Sequence, residues 1–577
     1  MEKLQELLEW AVQNGTYIDK RISFQEIEGR GISAVINSDI DSGENLIKVP
    51  KDIFLTPDIA ESYFKSNWKA EHDRNEQLQL LLARLKFEKE DTIVDGVNIS
   101  QKMAKYVDFL PSDGRSTGLP YFWTEEEKDL LRGTDAEVYL KTFMNAIVDE
   151  WYSAVSGLEG VALTDDIERF YTDYKRGDYN KGMAIFLEQK IDDWTSFPAY
   201  LWAHCILASR AFPCALIDPS TTTKLHKAFL IPVLDLLNHK EQTTVSWKYQ
   251  DSKFVSFNTT EDPQNLKKGH ELFNSYGDKP NDQLLLGYGF IIPDNELDTT
   301  TLTLKVDKDT VDGARQFGVK LPSDASELGI NFVLKTNDAL PEELVDFFAY
   351  LVRLKSEDGI YTTRMKLEGL ANLRSILDTK VNVFRNFKFI TSNRTSPDVV
   401  KLVRVYRTSH KVMFQSALDE ALKLEKHLLK KYKPLSFKKV LKLDKTFFNS
   451  LLLTFGVMNY DDLVRKKLLD QAVLLWIVRN ANKEHYSDED PSMFPAFIYD
   501  TFIDVKKNVP VTAEDVVEFR EIYKSLFPAL SERIPEVYGV GDWSPRNFIV
   551  AGTVSDRLTF KRPANSEVYF LKREQSY

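Results

Sequence analysis

The sequence predicts an α+β protein: a β-rich core split by a helical insertion and followed by an all-helical C-terminal domain. Its 577 residues exceed what one core organises, about 100–200 per domain, so two or three domains are expected. Short runs alternating apolar and polar residues occupy two blocks, residues 32–49 and 229–290, which is strand patterning. Between and beyond those blocks apolar residues recur at helical spacing. The boundaries that follow are 1–74 and 208–292 for the halves of the core, 75–207 for the insertion and 293–577 for the helical domain.

At the start of the chain Leu4, Leu7, Leu8 and Ala11 alternate with Glu2, Glu6 and Glu9, an amphipathic helix stopped at Asn14 and Gly15. The segment lacks the cationic start and unbroken apolar stretch of a signal peptide. Residues 32–49 alternate on both sides of the turn-rich Asp41, Ser42, Gly43 and Glu44, predicting a short antiparallel pair. In the insertion, Leu78, Leu81, Leu82 and Leu85, and later Phe186, Ile191, Trp194, Tyr200 and Trp202, suit amphipathic helices. Strand-like pieces resume at 229–237, 243–249, 253–260 and 271–277, separated by Asn238 and His239, Asp251 and Ser252, and Lys268 and Gly269. Beyond Pro293, residues 343–354 and 461–482 read as helices, and Thr512 with Asp515 offers a capping-box start for another. Residues 423–445 hold nine Lys against Glu425 and Asp444, a solvated helical face or else a patch meeting RNA or an acidic protein surface.

Composition narrows the function classes. With 43% hydrophobic residues, 36 Phe, 24 Tyr and 9 Trp, the chain is too apolar and aromatic for disorder. The two cysteines, Cys205 and Cys214, cannot build a disulfide framework or a four-thiolate zinc site, which points to a reducing compartment. A net charge of −12 disfavours direct nucleic-acid binding by the surface as a whole and suits a basic protein partner. The most apolar run, residues 468–478, is interrupted by Asp470 and Gln471 and too short to span a bilayer, so no membrane insertion is expected.

Three constellations could carry chemistry. Gly29, Arg30, Gly31, Ile32, Ser33 and Ala34 satisfy the loose G-x-G-x-x-A pattern, but a β-branched run follows where a dinucleotide fold needs a helix. These glycines mark either a ligand approached by backbone or a bend entering a strand. Asp235, Leu236, Leu237, Asn238 and His239 close the apolar run 229–237, where Asn and His are either structural or able to read the edge of a base such as adenine. Tyr276 with Gly277, and Tyr288 with Gly289 and Phe290, bracket an amphipathic turn and serve either packing or a site wall. The histidines show no metal-ligand spacing, so no metal is expected.

Taken in order, Glu28-Gly29-Arg30-Gly31, Ser209-Arg210-Ala211-Phe212, Asp235-Leu236-Leu237-Asn238-His239, and Tyr276-Gly277 with Tyr288-Gly289-Phe290 resemble a SET-domain methyltransferase. More narrowly, the chain resembles the Rubisco large-subunit methyltransferase-like branch, whose fungal members include ribosomal-protein and elongation-factor lysine methyltransferases. Tyr106-Val107-Asp108-Phe109-Leu110-Pro111 and Leu119-Pro120-Tyr121-Phe122-Trp123 are similar to the segment that this branch inserts in its SET core. The shortage of cysteine fits a branch without the zinc clusters of many histone-modifying SET enzymes.

The resemblance implies S-adenosylmethionine as cofactor and protein-lysine N-methylation as the reaction. It places the cofactor against the backbone of Glu28, Gly29, Arg30 and Gly31, its carboxylate on Arg210, and Asp235, Asn238 and His239 around it, with the Asn-His pair on the adenine edge. Tyr276 corresponds to the catalytic tyrosine, facing the methyl group through weak C–H···O contacts. Ser209, Tyr288 and Phe290 would line the channel of the substrate lysine. The region 293–577 becomes the substrate-binding domain. The implied substrate is a basic ribosomal protein or elongation factor, and the enzyme a monomer acting in the cytoplasm or also the nucleus. Histidine methylation and a catalytically silent interaction module are the alternatives.

Overall fold

The alternating residues of 32–49 do form strands, but not with each other. Helix α1 (Glu2–Gln13) is followed by strands β1 (Tyr17–Ile18), β2 (Ile22–Ile27), β3 (Gly31–Ile36) and β4 (Ile47–Pro50). β3 pairs antiparallel with β2, from Ile22 opposite Ile36 to Ile27 opposite Gly31, whereas β4 pairs with β1, Tyr17 opposite Lys48. Closing β2 on β3 takes only Glu28, Gly29 and Arg30, with Gly29 and Gly31 at φ 75 and 71, so the local hairpin wins over the longer connection 37–46. The computed structural model describes residues 2–41, 44–64, 75–158, 163–177, 191–222, 227–241, 243, 245–259, 266–357, 359–512, 516–517, 520, 523–524, 527 and 529–572. Ser42, Gly43, His72, Phe186, His226, Thr244, Thr260 and the capping-box residues 513–515 lie outside them.

The chain divides into two units, residues 1–299 with 387–410, and residues 300–386 with 411–577. In the first unit α2 (Pro57–Phe64) ends the N-terminal part of the core, and the insertion supplies α3 (Glu76–Phe87), the hairpin β5 (Ile93–Val94) and β6 (Val97–Asn98), α4 (Ile99–Phe109), α5 (Glu125–Asp129), α6 (Asp135–Ser156), α7 (Asp165–Arg176) and most of α8 (Phe197–Arg210). α3 buries Leu78, Leu81 and Leu82 as its spacing predicts. α8 is not amphipathic: Phe197, Tyr200, Trp202, Cys205 and Ile206 are buried around its whole circumference, while Ile191 and Trp194 precede it in a loop. Strands β7 (Ala211–Pro213), β8 (Ala228–Leu230), β9 (Val245–Gln250), β10 (Phe254–Thr259) and β11 (Glu271–Leu272) and helix α9 (Asn281–Tyr288) complete the core. The sheets run β1-β4-β10-β9, β11-β3-β2 and β7-β8. Residues 229–237 are a strand only as far as Leu230; the rest is a turn.

The segment 387–410 clusters with this first unit. Arg407 donates to the carbonyls of Leu130 and Arg132, and the Tyr406 hydroxyl accepts the Ala136 N–H. Among the described residues, no helix is long and apolar enough to cross a membrane, and no three His, Cys, Asp or Glu side chains are grouped to hold a metal ion.

The second unit is mainly but not wholly helical, which corrects the all-helical expectation. β12 (Thr299–Leu304) pairs with β13 (Ile330–Lys335), whose residues alternate buried and exposed, and a further sheet joins β14 (Leu435–Ser436), β16 (Glu567–Phe570) and β15 (Thr559–Arg562). Thr299, Thr301 and Thr303, alternating with Thr300, Leu302 and Leu304, carry the period-2 signal that β-branched residues favour. The run 461–482 is two helices, Tyr460–Arg465 and Leu469–Ala481, because Lys467 adopts φ 58 and Leu468 N–H closes the turn onto the Leu463 carbonyl.

Helices α10 (Lys308–Phe317), α11 (Glu342–Leu351) and α12 (Thr363–Arg385) surround the first of these sheets. A Cβ on Gly369 of α12 would stand 2.6 Å from the Ala349 nitrogen of α11, so the two backbones meet only because glycine stands there. Gly369→Ala is expected to cost about 1–3 kcal/mol by overpacking, read as a lower thermal midpoint; an unchanged midpoint would mean that the helices separate freely.

Candidate active site

The site is built where three turns converge. The β2–β3 hairpin brings Gly29 and Gly31, at positive φ, to the edge of open space, with no heavy atom within 4 Å of where a Cβ would sit on either. Only glycine takes this geometry without strain.

The second turn follows β8. Val233 is fully buried yet adopts φ 74 and ψ −45, a conformation that costs a β-branched residue about 1–3 kcal/mol. It throws the chain into a short 3₁₀ turn, Leu234–Leu236, that turns Asp235 inward. Arg210, the last residue of α8, donates through Nη1 to Asp235 Oδ2 at 3.2 Å, and Tyr106 of α4 donates to the same oxygen at 3.0 Å. The Asp235 side chain has no exposure, and its Oδ1 has no protein partner among the described residues. Burial raises its carboxyl above the ordinary range, against the opposing charge of Arg210 and the Tyr106 hydroxyl. The Arg210 side chain keeps 24% exposure; Nη1 also donates to the Asp235 carbonyl at 3.4 Å, and Nε and Nη2 have no protein acceptor among the described residues.

After Leu237 the backbone runs parallel to residues around Asn274: Asn274 N–H donates to the Asn238 carbonyl at 2.8 Å, and Lys240 N–H to the Asn274 carbonyl at 3.2 Å. The Asn238 amide donates to the Ile32 carbonyl at 2.9 Å and to Glu271 Oε1 at 2.8 Å. Both its hydrogens are therefore engaged inside the protein, and what it can present to a ligand is its carbonyl oxygen. Glu271, whose side chain is 4% exposed, also pairs with Arg30 at 3.2 Å, so one carboxylate ties the glycine hairpin to Asn238.

The third turn carries the tyrosines. Tyr276 donates its hydroxyl to the Leu237 carbonyl at 2.9 Å, and its N–H to His239 Nδ1 at 3.0 Å. That second bond fixes the His239 proton on Nε2, and burial followed by the charge of Lys279 lowers its pKa against a hydrogen bond to the Asn274 backbone, so the ring is neutral. Burial pushes the Tyr276 phenol well above its ordinary value. Its ring stacks on His239 at 5.1 Å and on Tyr288 at 4.6 Å, with Phe290 at 6.5 Å. Gly289, at φ 77, ends α9 and turns the chain between Tyr288 and Phe290. The loop behind them is pinned by Asn281, which donates to the Ile292 carbonyl and accepts its N–H.

These elements enclose one open cavity of about 760 Å3, a volume typical of cofactor sites. Gly29, Arg30, Gly31, Ser209, Arg210, Asp235, Asn238, His239, Tyr276, Tyr288 and Phe290 all line it. Glu28 does not: it is exposed on the outside of the hairpin. The Ser209 hydroxyl donates back to the Cys205 carbonyl at 2.8 Å, leaving it an acceptor. Phe290 lies on the cavity and is only half-buried, which excludes a pure core role. Tyr106 and Glu271 hold this geometry without having been singled out as site residues from sequence; Tyr106 was visible only within its motif, and Glu271 only as a charged residue inside a strand-like piece.

The EFM1 middle domain family matches residues 299–432. The chain is 37% identical, over 99% of its length and 98% of the relative's, to Saccharomyces cerevisiae protein-lysine N-methyltransferase EFM1. It is 29% identical, over 84% of its length and 88% of the relative's, to ribosomal lysine N-methyltransferase 1 of the same yeast. Among solved structures, the SET domain of LSMT bound to lysine and AdoHcy superposes with a TM-score of 0.50 at 18% identity, covering 74% of this chain and 92% of that one.

Proposed function

The chain belongs to the SET-domain protein-lysine methyltransferases of the Rubisco large-subunit methyltransferase-like branch, which use S-adenosylmethionine, and on that premise we propose that it methylates a lysine of a ribosomal protein or translation elongation factor. The relative named as a ribosomal lysine N-methyltransferase supports that substrate class, as does a net charge of −12, which favours encounter with a basic partner. Such a substrate puts the reaction in the cytoplasm, the nucleus remaining open to it. The second unit would be the arm that docks the substrate.

The observation that carries the reading is the Arg210–Asp235 pair opening beside Tyr276 onto one cavity. The residues present fit the cofactor: open backbone at Gly29 and Gly31, the Nε and Nη2 donors of Arg210 without a protein acceptor among the described residues, and a neutral imidazole on His239. When bound, the cofactor supplies a methyl group activated on a sulfonium. Arg210 holds a carboxylate by charge-assisted hydrogen bonds, and Asp235, fixed by Tyr106, holds Arg210. The Tyr276 proton is committed to Leu237, so its oxygen lone pairs are left to accept. Tyr276, Tyr288 and Phe290 give the incoming lysine apolar walls. An ordinary lysine, pKa about 10.4, is neutral in roughly one molecule in 10³ at pH 7; desolvation by those walls raises that fraction. In-line transfer then needs alignment rather than a strong acid.

Incubating the full chain with labelled S-adenosylmethionine, ribosomes and elongation factors should label one protein, with the methyl on a lysine ε-nitrogen by mass spectrometry. A methyl on a histidine ring, or no labelled protein, would overturn the reading.

A further inference from the structure

We propose that the lysine-rich surface at the end of the long helix α13 (Pro397–Tyr432) binds single-stranded RNA. Net charge argues against nucleic acid, yet charge is felt locally: at physiological salt it is screened within about 8 Å, so the distribution decides. The run 423–445 contains two carboxylates, and both face inward. Glu425 is fully buried between Arg374 and Arg562, and Asp444 is buried on Arg479. Neither neutralises a lysine. Of the nine lysines, Lys423 pairs with Glu420 and Lys438 lies 4.0 Å from Glu567. Lys426, Lys430, Lys433, Lys439, Lys442 and Lys445 are exposed with no carboxylate in ion-pair range among the described residues. Lys423, Lys426 and Lys430 follow the i, i+3, i+7 spacing of one helix stripe, opposite the buried Ala421, Glu425 and Leu428.

A second, independent feature sits where the helix ends. A cleft of about 470 Å3 opens beside Lys433, which holds φ 43, and is walled by Tyr432, Phe497 and Phe570 with Lys433 and Lys572 among its lining. Tyr432 and Phe497 are half-buried, so part of each ring faces solvent. Flat rings beside ammonium groups suit an unpaired base with its flanking phosphates, the combination that sequence-tolerant single-strand binders use. An acidic protein face would use the lysines and is separated from RNA by the polyglutamate competitor, whereas a rigid duplex exposes none of its base faces to the cleft.

The test is fluorescence anisotropy of a labelled 20-nucleotide single-stranded RNA with the full chain across 50–200 mM salt. Binding should weaken linearly on a log–log plot. The triple variant Lys426→Gln, Lys430→Gln, Lys433→Gln should lower affinity at least tenfold and flatten that slope by about 2, three phosphate contacts at about 0.7 each. The corresponding triple Arg variant should restore both, and the Gln variant's thermal midpoint should match the parent's. No binding at 50 mM salt, an unchanged slope in the Gln variant, or equal affinity for a polyglutamate competitor would overturn the proposal. None of these outcomes bears on methyl transfer, so the two proposals fail separately.

Discussion

Tyr276→Phe should lower kcat about 10²–10³-fold while leaving the affinity for S-adenosylmethionine within a few-fold of the parent. That is the usual loss when one preorganised polar group aimed at the reacting centre is removed. The ring itself stays: stacking on His239 and Tyr288 holds it, and its N–H still donates to His239. Only the oxygen leaves, and with it the lone pairs that would face the transferring methyl in the proposed reaction. The buried Leu237 carbonyl also loses its donor, so about 1–3 kcal/mol of stability should go as well. Binding by calorimetry and single-turnover rates separate the two effects. A kcat within threefold of the parent would remove Tyr276 from the chemistry. The pH profile offers a second check. Burial raises the phenol above its ordinary pKa of about 10, so it keeps its proton throughout pH 6–9, and a rise of kcat/KM over that interval belongs to the substrate amine.

The site was more legible in the sequence than the architecture that holds it. Taken singly, Gly29, Gly31, Asp235, Asn238, His239 and Tyr276 read as well for packing as for binding, and only their joint order, which resembles a SET-domain methyltransferase, gathers them into a site. Their roles were harder to read. Asn238 looks like a free base-reading amide until Glu271 and Ile32 take both its hydrogens, and no local pattern reveals a partner 33 residues on. Glu28 matches by motif alone, and the hairpin turns it out to solvent. Strand pairing followed loop length, which alternation does not encode: β3 joins β2 across three residues, and β4 crosses to β1 and β10. The C-terminal strands were lost among longer helical runs, although the threonines of β12 alternate plainly. Val233 left no trace, since strain at a valine is imposed by the packing around it rather than by its neighbours in sequence.

Arg210→Met should do the most damage to the fold and the site together. Asp235 lies fully buried, so removing its guanidinium leaves a carboxylate in low dielectric with the Tyr106 hydroxyl alone, a loss of about 3–5 kcal/mol. The pH dependence of that loss has a definite sign. Burial already raises the Asp235 carboxyl, and without Arg210 it rises further, so the folded chain binds a proton that the unfolded chain releases at an ordinary value near 3.9. The deficit is therefore full at neutral pH and shrinks as pH falls through the raised value. Adding Asp235→Asn to Arg210→Met removes the buried charge and should restore most of the thermal midpoint at pH 7.5, because an amide is far cheaper to bury than a carboxylate. Cofactor affinity should stay lost in both variants, by more than about tenfold, since neither offers a cation to the carboxylate that Arg210 would hold. Recovery of stability and cofactor binding together in the double variant would show that Arg210 serves only to neutralise Asp235, and that the cofactor is held elsewhere.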